Sequence, residues 1–341
     1  MNIQVVENFD LRYDSFISGF DDGRICHLPA WSQAVTKDTG LKSFYLAAID
    51  DESLLGVFPL VYVNSKLFGR FLVSQAFSDY GGMLAVNEKV RESLFYKALE
   101  TAKETRCKMI EFRNITALPY DLHLWEDKIT MVLPLDPDPE KIWKSFNPKV
   151  RNQVRKAQKS NITASNGRLE LLDDFYKIYT KRMHELGTPA YPKKILKNLL
   201  AAFPERGRIF VVKLKGLTLG AGLTFYFNGF VEMPLASTNT DYNSICPNNL
   251  LYWSVIEYYC LKGAGYFDFG RCTVEGPTYR FKKQWGADPV QLNYQYWTVE
   301  GQELNILSPA NPRYKRRIEL WKKMPLWFTR IVGPMISKNL P

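Results

Sequence analysis

The stretch "RIFVVKLKGLTLGAGLTFYF" (208–227) decides the fold, because its pattern occurs twice in the chain. The first half carries the counterpart "FYLAAIDDESLLGVFPLVYV" (44–63). Each stretch consists of two apolar runs joined by a short polar turn, a pattern that predicts a β-hairpin. Gly56 and Gly220 take equivalent places in the second run of each stretch. We therefore predict that the two halves of the chain share one hairpin.

The elements that follow each hairpin also correspond, as a short strand running into a loop, an amphipathic helix and a further strand. The paired stretches are 78–86 with 231–239, 88–107 with 247–264, and 109–114 with 266–271. A repeat of about 160 residues is too long for a solenoid and indicates two copies of one mixed α/β domain. The order of helix, hairpin, strand, helix and strand is typical of the GNAT acetyltransferase fold. Two unrelated domains that share common units are the alternative.

Composition and length are those of a two-domain globular protein from a reducing compartment. The 341 residues suffice for about two domains, and 46% of them are hydrophobic. The five cysteines are scattered, with no C-x-x-C, which argues against a disulfide framework and against a zinc site. The N-terminal residues lack a signal-peptide pattern, and no apolar run is long enough to span a membrane. We therefore expect a cytoplasmic protein without a metal site.

The positive charge is concentrated in two segments. The net charge is +10, and the segment 313–338 alone carries eight basic residues and one acid. A second segment, 141–168, has eight basic residues and no acid. Such asymmetry points to anionic partners, namely RNA, anionic lipid or a phosphate-bearing substrate. We do not expect DNA as a partner.

Three stretches of the second half carry a family resemblance: "NPKVRNQVRKAQKS" (147–160), "YFDFGR" (266–271) and "YRFKKQWGA" (279–287). They resemble the FemAB-like family of duplicated GNAT proteins, which includes the peptidoglycan bridge aminoacyltransferases. "LVSQAFSDYGGMLA" (72–85) and "CHLPAWSQAV" (26–35) are most similar to the FemAB-related group associated with exosortase/PEP-CTERM systems. The resemblance covers most of the chain.

The resemblance implies a mixed α/β (α+β) fold with two tandem GNAT-like domains that face a shared cleft. We place the first domain at 1–135 and the second at 136–300. The remaining segment, 301–341, is basic and amphipathic, and in this family such a segment returns to the first domain. The same segment has the composition of a surface that lies on an anionic membrane.

The resemblance also implies transfer of an acyl or aminoacyl group to an amine. The acceptor would be an amino group of a cell-envelope precursor, either a peptidoglycan peptide or an amino sugar of an envelope polysaccharide, at the inner face of the membrane. No cofactor is expected, and the donor is either charged tRNA or an acyl thioester. Acetyl-CoA is doubtful, since "STNTDYNSICPNN" (237–249) lacks a glycine-rich phosphate loop. The alternative is a non-catalytic GNAT-like protein that binds a lipid-linked glycan or RNA.

By the same resemblance, Lys282 is the lysine beside the reaction centre, and Phe281 shapes its pocket. A fixed cation there stabilises the negative charge that develops on the carbonyl oxygen. The alternative for Lys282 is a solvated lysine at a strand edge. Asp268 stands near the end of a strand, where α/β sites gather, although a loop cap is an equal alternative. Glu232 and Asp241 are further candidates to accept the proton of the amine.

The candidate substrate contacts fall into three groups. Around Lys282 they are Arg280, Lys283 and Trp285. Tyr191 precedes a proline at the place where the bridge enzymes carry an arginine that holds a nucleotide sugar. Arg151 and Arg155 lie one helical turn apart, which favours a phosphate contact, with a solvated face as the alternative.

Overall fold

We describe a computed structural model of the chain over residues 1–7, 9–304, 306 and 311–340. The strands are β1 (Asn2–Val6), β2 (Lys42–Asp50), β3 (Ser53–Ser65), β4 (Gly69–Ser74), β5 (Leu84–Ala85), β6 (Met109–Asn114), β7 (His123–Trp125), β8 (Lys128–Pro134), β9 (Thr163–Gly167), β10 (Gly207–Leu214), β11 (Leu217–Phe227), β12 (Phe230–Thr238), β13 (Tyr266–Thr273), β14 (Asp288–Gln291) and β15 (Asn293–Thr298).

The helices are α1 (Leu11–Ser18), α2 (Pro29–Thr36), α3 (Glu88–Glu104), α4 (Pro139–Ser145), α5 (Pro148–Lys159), α6 (Leu172–Leu186), α7 (Lys193–Ala202), α8 (Pro247–Cys260), α9 (Pro277–Lys283), α10 (Lys315–Lys323) and α11 (Leu326–Ser337). Short 3₁₀ turns cover Ile25–His27, Leu169–Leu171, Thr240–Ile245 and Pro312–Tyr314. Among the described residues no helix is long and apolar enough to cross a membrane.

The chain forms two compact units whose boundaries differ from those that we predicted. Unit 1 holds residues 1–128, 291–306 and 338–341, and unit 2 holds 129–290 and 307–337. The boundary falls a few residues earlier than 135/136, because β8 belongs to the sheet of unit 2. The end of the predicted second domain is also wrong, because β15 lies in the sheet of unit 1.

The sheets of the two units repeat one another, which supports the predicted duplication. Unit 1 has the strand order β1-β2-β3-β4-β6-β15-β7, with β5 paired to β3, and unit 2 has β14-β8-β13-β12-β11-β10-β9. Both predicted hairpins are confirmed as β2–β3 and β10–β11. In each hairpin the pairing register shifts directly after the residue that lies opposite the glycine. That residue is Ala48, opposite Gly56, in β2–β3 and Val212, opposite Gly220, in β10–β11. A shared β-bulge is a feature of backbone geometry that two unrelated hairpins need not have in common.

Each sheet takes one strand from a remote part of the chain at the same place in its order. β15 lies between β6 and β7 in unit 1, and β8 lies between β13 and β14 in unit 2. Both inserted strands follow a short strand closely along the chain, β14 and β7 respectively. The sequence alone did not predict these insertions, because a strand's own pattern does not specify the sheet that it joins.

The first short strand of the repeat was wrongly assigned in unit 1. The structure matches β12 with β4, since each pairs antiparallel with its hairpin and parallel with the strand after the helix. Residues 78–83 form no strand, and within the predicted stretch 78–86 only Leu84–Ala85 pair with β3. The apolar run before residue 78 was therefore the strand, and the glycine-rich stretch after it is a loop.

Helix α3 and helix α8 cover equivalent faces of the two sheets and fill the cores of their units. Helix α3 begins where the Asn87 side chain accepts a hydrogen bond from the Val90 backbone N–H, at 3.0 Å. Helix α5 begins in the same way at Asn147, with Pro148 in its first turn. α5 packs on α8 and confirms the helix that we predicted for 147–160.

The C-terminal helices group with unit 2, whereas we expected this segment to return to the first domain. Both α10 and α11 pack on α6 of unit 2. Arg330 Nε donates to Thr180 Oγ1 at 3.1 Å, and Ser337 Oγ donates to the Ala190 carbonyl at 2.7 Å. Of the described residues after 306, only 338–340 group with unit 1. The cause is a close helix contact built on small side chains, a pattern that a search for apolar residues does not find.

Candidate active site

In unit 2 the parallel strands β12 and β13 separate after a short paired stretch. Their described pairing covers Phe230–Glu232 with Tyr266–Asp268, although both strands continue for several residues beyond it. The last pair joins Glu232 to Asp268. Equivalent positions on parallel strands point to the same face, so these two carboxylates are neighbours beside the opening. An opening at the carboxyl ends of parallel strands is where α/β folds bind ligands.

The carboxylate of Asp268 holds the strands together at this point. Its side chain is 1% exposed, and Oδ1 accepts hydrogen bonds from Thr130 Oγ1 and from the Gly270 N–H, the latter at 2.7 Å. Thr130 belongs to β8, so Asp268 links β8 to β13. These two hydrogen bonds are those of a loop cap, which was the alternative role that we considered for Asp268. Glu232, on the next strand, is also buried.

Lys282 is buried, not solvated. It lies on helix α9 and is 3% exposed. Its Nζ donates to the carbonyls of Gly270 at 2.5 Å and Arg271 at 3.1 Å, both in the last part of β13. Gly270 has φ +78°, which turns the chain in a way that glycine tolerates best. A buried ammonium needs such carbonyl partners, since desolvation without them disfavours the charged form.

The other residues of the "YRFKKQWGA" stretch separate into a core side and a solvent side. Trp285 is 1% exposed and Phe281 is half-buried, while Arg280 and Lys283 are exposed. Arg280 Nε donates to the Glu275 carbonyl at 3.2 Å. The helix thus turns one cation inward and leaves the two others at the surface.

An aromatic cluster lines the same end of unit 2. Phe281 contacts Tyr252, with ring centroids 5.0 Å apart, and Tyr252 stacks on Phe269 at 5.4 Å. Burial raises the pKa of Tyr252, so its hydroxyl stays neutral. Trp285 meets Phe146 edge-on at 5.1 Å, just before the start of α5. Two of the three stretches that carry the family resemblance are therefore packed together.

The remaining predicted residues lie on other elements of unit 2. The Arg155 guanidinium lies 5.5 Å from the centre of the Trp143 ring. Arg151 Nε is buried and has no hydrogen-bond partner among the described residues. The Tyr191 N–H donates to Tyr179 Oη at 3.1 Å, in the loop between α6 and α7. Asp241 is exposed and pairs with Lys181 of α6 at 2.9 Å.

Unit 1 has its own opening, which the sequence did not predict. A pocket with about 500 Å³ of empty space, counting the part open to solvent, lies beyond the ends of β4 and β6. Its lining includes His27, Tyr80, Gly81, Gly82, Arg91, Arg113 and Asn114. Its size suits a small chemical group or one end of a larger molecule.

His27 is a fixed, neutral hydrogen-bonding group in this pocket. Nδ1 accepts from the Arg24 N–H at 3.0 Å, so Nε2 carries the proton and donates to the Gly82 carbonyl at 3.1 Å. Burial, followed by the charge of Arg24, lowers the pKa of His27 from 6.5 to about 4. His27 therefore orders the loop and carries no charge at neutral pH.

Arg113 and Asn114 end β6 inside the pocket. The Arg113 guanidinium pairs with Glu111 at 2.8 Å and donates to the Ser78 carbonyl at 2.6 Å. Asn114 is 6% exposed, and its Nδ2 is buried without a hydrogen-bond partner among the described residues. A buried amide N–H that lacks an acceptor is costly, so this group suits a ligand oxygen.

The loop that closes this pocket has an unusual backbone. Gln75 and Phe77 both have φ +60°, and Gly81 has φ +151°. Residues held in sparsely populated conformations cluster at binding sites. The signal was present in the sequence, in the two stretches that resemble the exosortase-associated group. They pack together, since Gln75 Nε2 donates to the Cys26 carbonyl at 2.7 Å and Trp31 Nε1 to the Ala76 carbonyl at 3.0 Å.

No group of three or more His, Cys, Asp or Glu among the described residues could hold a metal ion.

In comparisons with known proteins, the Acetyltransferase (GNAT) domain family matches residues 144–283, a range that includes Lys282. The chain is 23% identical over 233 residues to a Lipid II:glycine glycyltransferase of Staphylococcus saprophyticus, and the match covers 60% of this chain and 55% of that protein. The chain thus spans about half the length of this curated relative.

Solved structures have the same fold over nearly the whole chain. The crystal structure of FemX matches 93% of this chain and 99% of its own, with a TM-score of 0.67 and 14% identity. A tandem GNAT protein from the clavulanic acid biosynthesis pathway matches 89% of this chain and 99% of its own, with a TM-score of 0.57 and 10% identity. With the sequence match, these similarities bear out the predicted resemblance to FemAB-like proteins, and they show the predicted fold of two GNAT-like domains.

Proposed function

We propose that the protein transfers an aminoacyl or acyl group to an amino group of a cell-envelope precursor. The observation that carries this proposal is the buried ammonium of Lys282, fixed by the carbonyls of β13 just beyond the point where β12 and β13 separate. An apolar, pre-organised site with one fixed cation is suited to stabilise charge that develops during acyl transfer.

Lys282 would act on the carbonyl oxygen of the donor. When an amine attacks an ester or thioester carbonyl, negative charge develops on this oxygen in the tetrahedral intermediate. A cation that is already held by backbone carbonyls does not need to reorganise when this charge appears. Phe281 and Tyr252 would keep water from the reacting ester, since they line the same end of unit 2.

A carboxylate would accept the proton that the attacking amine loses. When the tetrahedral intermediate collapses, the ester C–O or thioester C–S bond breaks, and the same carboxyl would return the proton to the departing tRNA hydroxyl or thiol. Asp268 is committed to Thr130 and to the Gly270 N–H. Glu232 is buried beside it on β12, at the last paired position before the opening, and is the candidate that we favour for the proton. Asp241 is the weakest candidate, because it is exposed and paired with Lys181.

The donor that we favour is charged tRNA. Arg151 and Arg155 on α5 would contact its phosphates, and the start of α5 lies next to Trp285 through Phe146. Segment 237–249, before α8, contains no glycine, so it supports neither a phosphate loop nor the use of acetyl-CoA. An acyl thioester remains the second donor class.

We propose that the pocket of unit 1 binds part of the acceptor. The buried Nδ2 of Asn114 would donate to a carbonyl or carboxylate oxygen of the peptide or sugar. The curated relative is named a Lipid II:glycine glycyltransferase, which favours a lipid-linked peptidoglycan precursor over an amino sugar. Such an acceptor would place the protein at the cytoplasmic face of the membrane.

The test is an assay of the full chain with lipid II or its soluble nucleotide-linked precursor and a panel of charged tRNAs, read by the mass of the acceptor. We expect a mass increase of one aminoacyl group that is lost in Lys282→Met and kept in Lys283→Met. A panel of acyl thioesters distinguishes the second donor class. If no donor changes the mass of any acceptor, while the acceptor still binds, the non-catalytic alternative is correct.

A further inference from the structure

Helix α11 packs on unit 2 through its small residues. Thr329, Gly333 and Ser337, spaced four residues apart, are all buried. A Cβ atom added at Gly333 would lie 3.3 Å from the Ala190 nitrogen, so the helix approaches that backbone closely. Thr329 Oγ1 also lies 3.3 Å from His184 Nδ1. These contacts fix which face of α11 points outward.

The outward face carries large apolar side chains. Trp327, Ile331 and Met335 are 65%, 62% and 64% exposed, and they share the same spacing of four residues. Leu320 on the neighbouring helix α10 is 59% exposed. A surface helix ordinarily turns its large apolar residues toward the core. Here the arrangement is reversed, which marks a surface that meets something apolar.

Basic residues lie next to Leu320 on α10. Arg316, Arg317 and Lys323 are exposed and lie four residues before, three before and three after Leu320, so they are its neighbours on α10. Between Arg313 and Lys338 the sequence has eight basic residues and one acid. The segment therefore has a strongly positive net charge.

We infer that the surface formed by Leu320, Trp327, Ile331, Met335 and the basic side chains of α10, the α10–α11 face, docks on an anionic lipid bilayer. Tryptophan and aliphatic side chains suit the boundary between headgroups and acyl chains, and the basic residues suit anionic headgroups. RNA would use the charges but leave the aliphatic side chains exposed to water. The inference goes beyond the proposed transfer reaction and does not depend on it.

The test is sedimentation of the full chain with phosphatidylglycerol-rich vesicles and with pure phosphatidylcholine vesicles, in the absence of any substrate. We expect binding to the first kind at low salt, weaker binding at high salt, and little binding to the second kind. No binding to anionic vesicles at low salt overturns the inference. Transfer to a soluble acceptor is assayed separately, so failure of one proposal does not decide the other.

An apolar variant tests the stripe. Trp327→Ser, Ile331→Ser and Met335→Ser together should lower vesicle binding at least about tenfold, because the side chains no longer enter the headgroup boundary. The fold should be kept, since all three are mostly exposed. The matched control is Leu11→Ser, Leu67→Ser and Leu261→Ser, at positions 84%, 66% and 69% exposed elsewhere. Equal binding by the apolar variant and the control contradicts insertion.

A charge variant tests the basic rim and separates lipid from RNA. Arg316→Gln, Arg317→Gln and Lys323→Gln together should lower binding to anionic vesicles about a hundredfold at low salt. If this variant loses tRNA binding and keeps vesicle binding, the segment is an RNA contact and the inference is wrong. Brominated lipids should quench part of the fluorescence of the unaltered protein, and Trp327→Phe should remove that part.

Discussion

Strand β6 of unit 1 and strand β13 of unit 2 can be compared residue by residue, because each lies parallel to a neighbour and separates from it at the same place. The last paired residues are Glu111 and Asp268. Each carboxylate then contacts the residue two positions on, Arg113 in one unit and Gly270 in the other. The backbone is repeated, and the side chain that follows the opening differs.

Each opening holds one buried cation that donates to two backbone carbonyls. In unit 1 it is Arg113, which lies on the strand itself and reaches Gln75 and Ser78. In unit 2 the equivalent position is a glycine, and Lys282 comes from helix α9 instead. A duplicated fold can therefore keep an electrostatic feature while a different element supplies it. The guanidinium is paired with Glu111, whereas Lys282 stands at the aromatic end that we propose for the chemistry.

The contrast between Arg113 and Lys282 would fail if Lys282 had only a structural role. Lys282→Met should reduce turnover about a hundredfold, as expected for loss of a charge that stabilises the transition state. It should also lower the free energy of unfolding by about 2 kcal/mol, since two carbonyls lose a charged donor. The measurements are kcat in the mass assay and urea unfolding. Unchanged kcat with lowered stability would assign Lys282 to the scaffold.

The second prediction concerns the other cation. Arg113→Met should lower the free energy of unfolding by about 3 kcal/mol, because the buried guanidinium is lost and the partly buried Glu111 carboxylate is left without this partner. We expect KM for the acceptor to rise more than kcat falls, since the proposed role of this pocket is binding. Urea unfolding and steady-state kinetics provide the check. A larger loss in kcat than in Lys282→Met would move the chemistry to unit 1.

The third prediction is a dependence of stability on pH that originates in unit 1. The pKa of His27 falls from 6.5 to about 4 on folding, so between these values the unfolded chain binds a proton that the folded chain does not. Stability from this group is complete above pH 6.5 and is lost as pH falls toward 4, by about 3 kcal/mol in total. The free energy of unfolding should be measured against pH for the unaltered protein and for His27→Asn. Between pH 6.5 and 4 it should fall more steeply with falling pH in the unaltered protein, and parallel plots for the two proteins would refute the prediction.

The smallest expected effect on stability is at Asn114. Asn114→Ala should change the free energy of unfolding by no more than about 1 kcal/mol, because the amide N–H that is removed has no hydrogen-bond partner among the described residues. Acceptor affinity should nonetheless fall about tenfold if a ligand oxygen meets this group. Equilibrium binding of the soluble precursor measures it, and Thr116→Ala, an exposed pocket residue, is the control. Unchanged affinity would leave the pocket without a role in binding the acceptor.

The fold could be predicted from the sequence where the signal is local. The hairpins, the helices α3, α5 and α8, and the strands β6 and β13 each carry a complete periodic pattern of their own. The strand before residue 78 was misassigned, because a glycine-rich loop was read as part of the repeat. The insertion of β15 into unit 1 and β8 into unit 2 was not predicted, because it depends on partners that are distant along the chain.

The candidate site was predictable in part. The stretch around Lys282 was recognised by resemblance, and the pairing of Asp268 with Glu232 follows from two predicted strands. The burial of Lys282 was not predictable, since it requires the carbonyls of β13 to meet a helix that the sequence did not indicate. The pocket of unit 1 was missed because its polar groups are spread over four segments.

By itself, the sequence determined the duplicated hairpin, the helices that follow it and the concentration of positive charge in two segments. These properties are set by the order of apolar, polar and charged residues along a short length of chain. The period of that order matches the backbone period of a helix or a strand, so it predicts the element directly. The tertiary structure alone decided which unit each inserted strand joined, which lysine was desolvated and which face of α11 stayed outside. Each of these depends on contacts between residues far apart in the chain, where close packing and the need to satisfy buried polar groups select one arrangement.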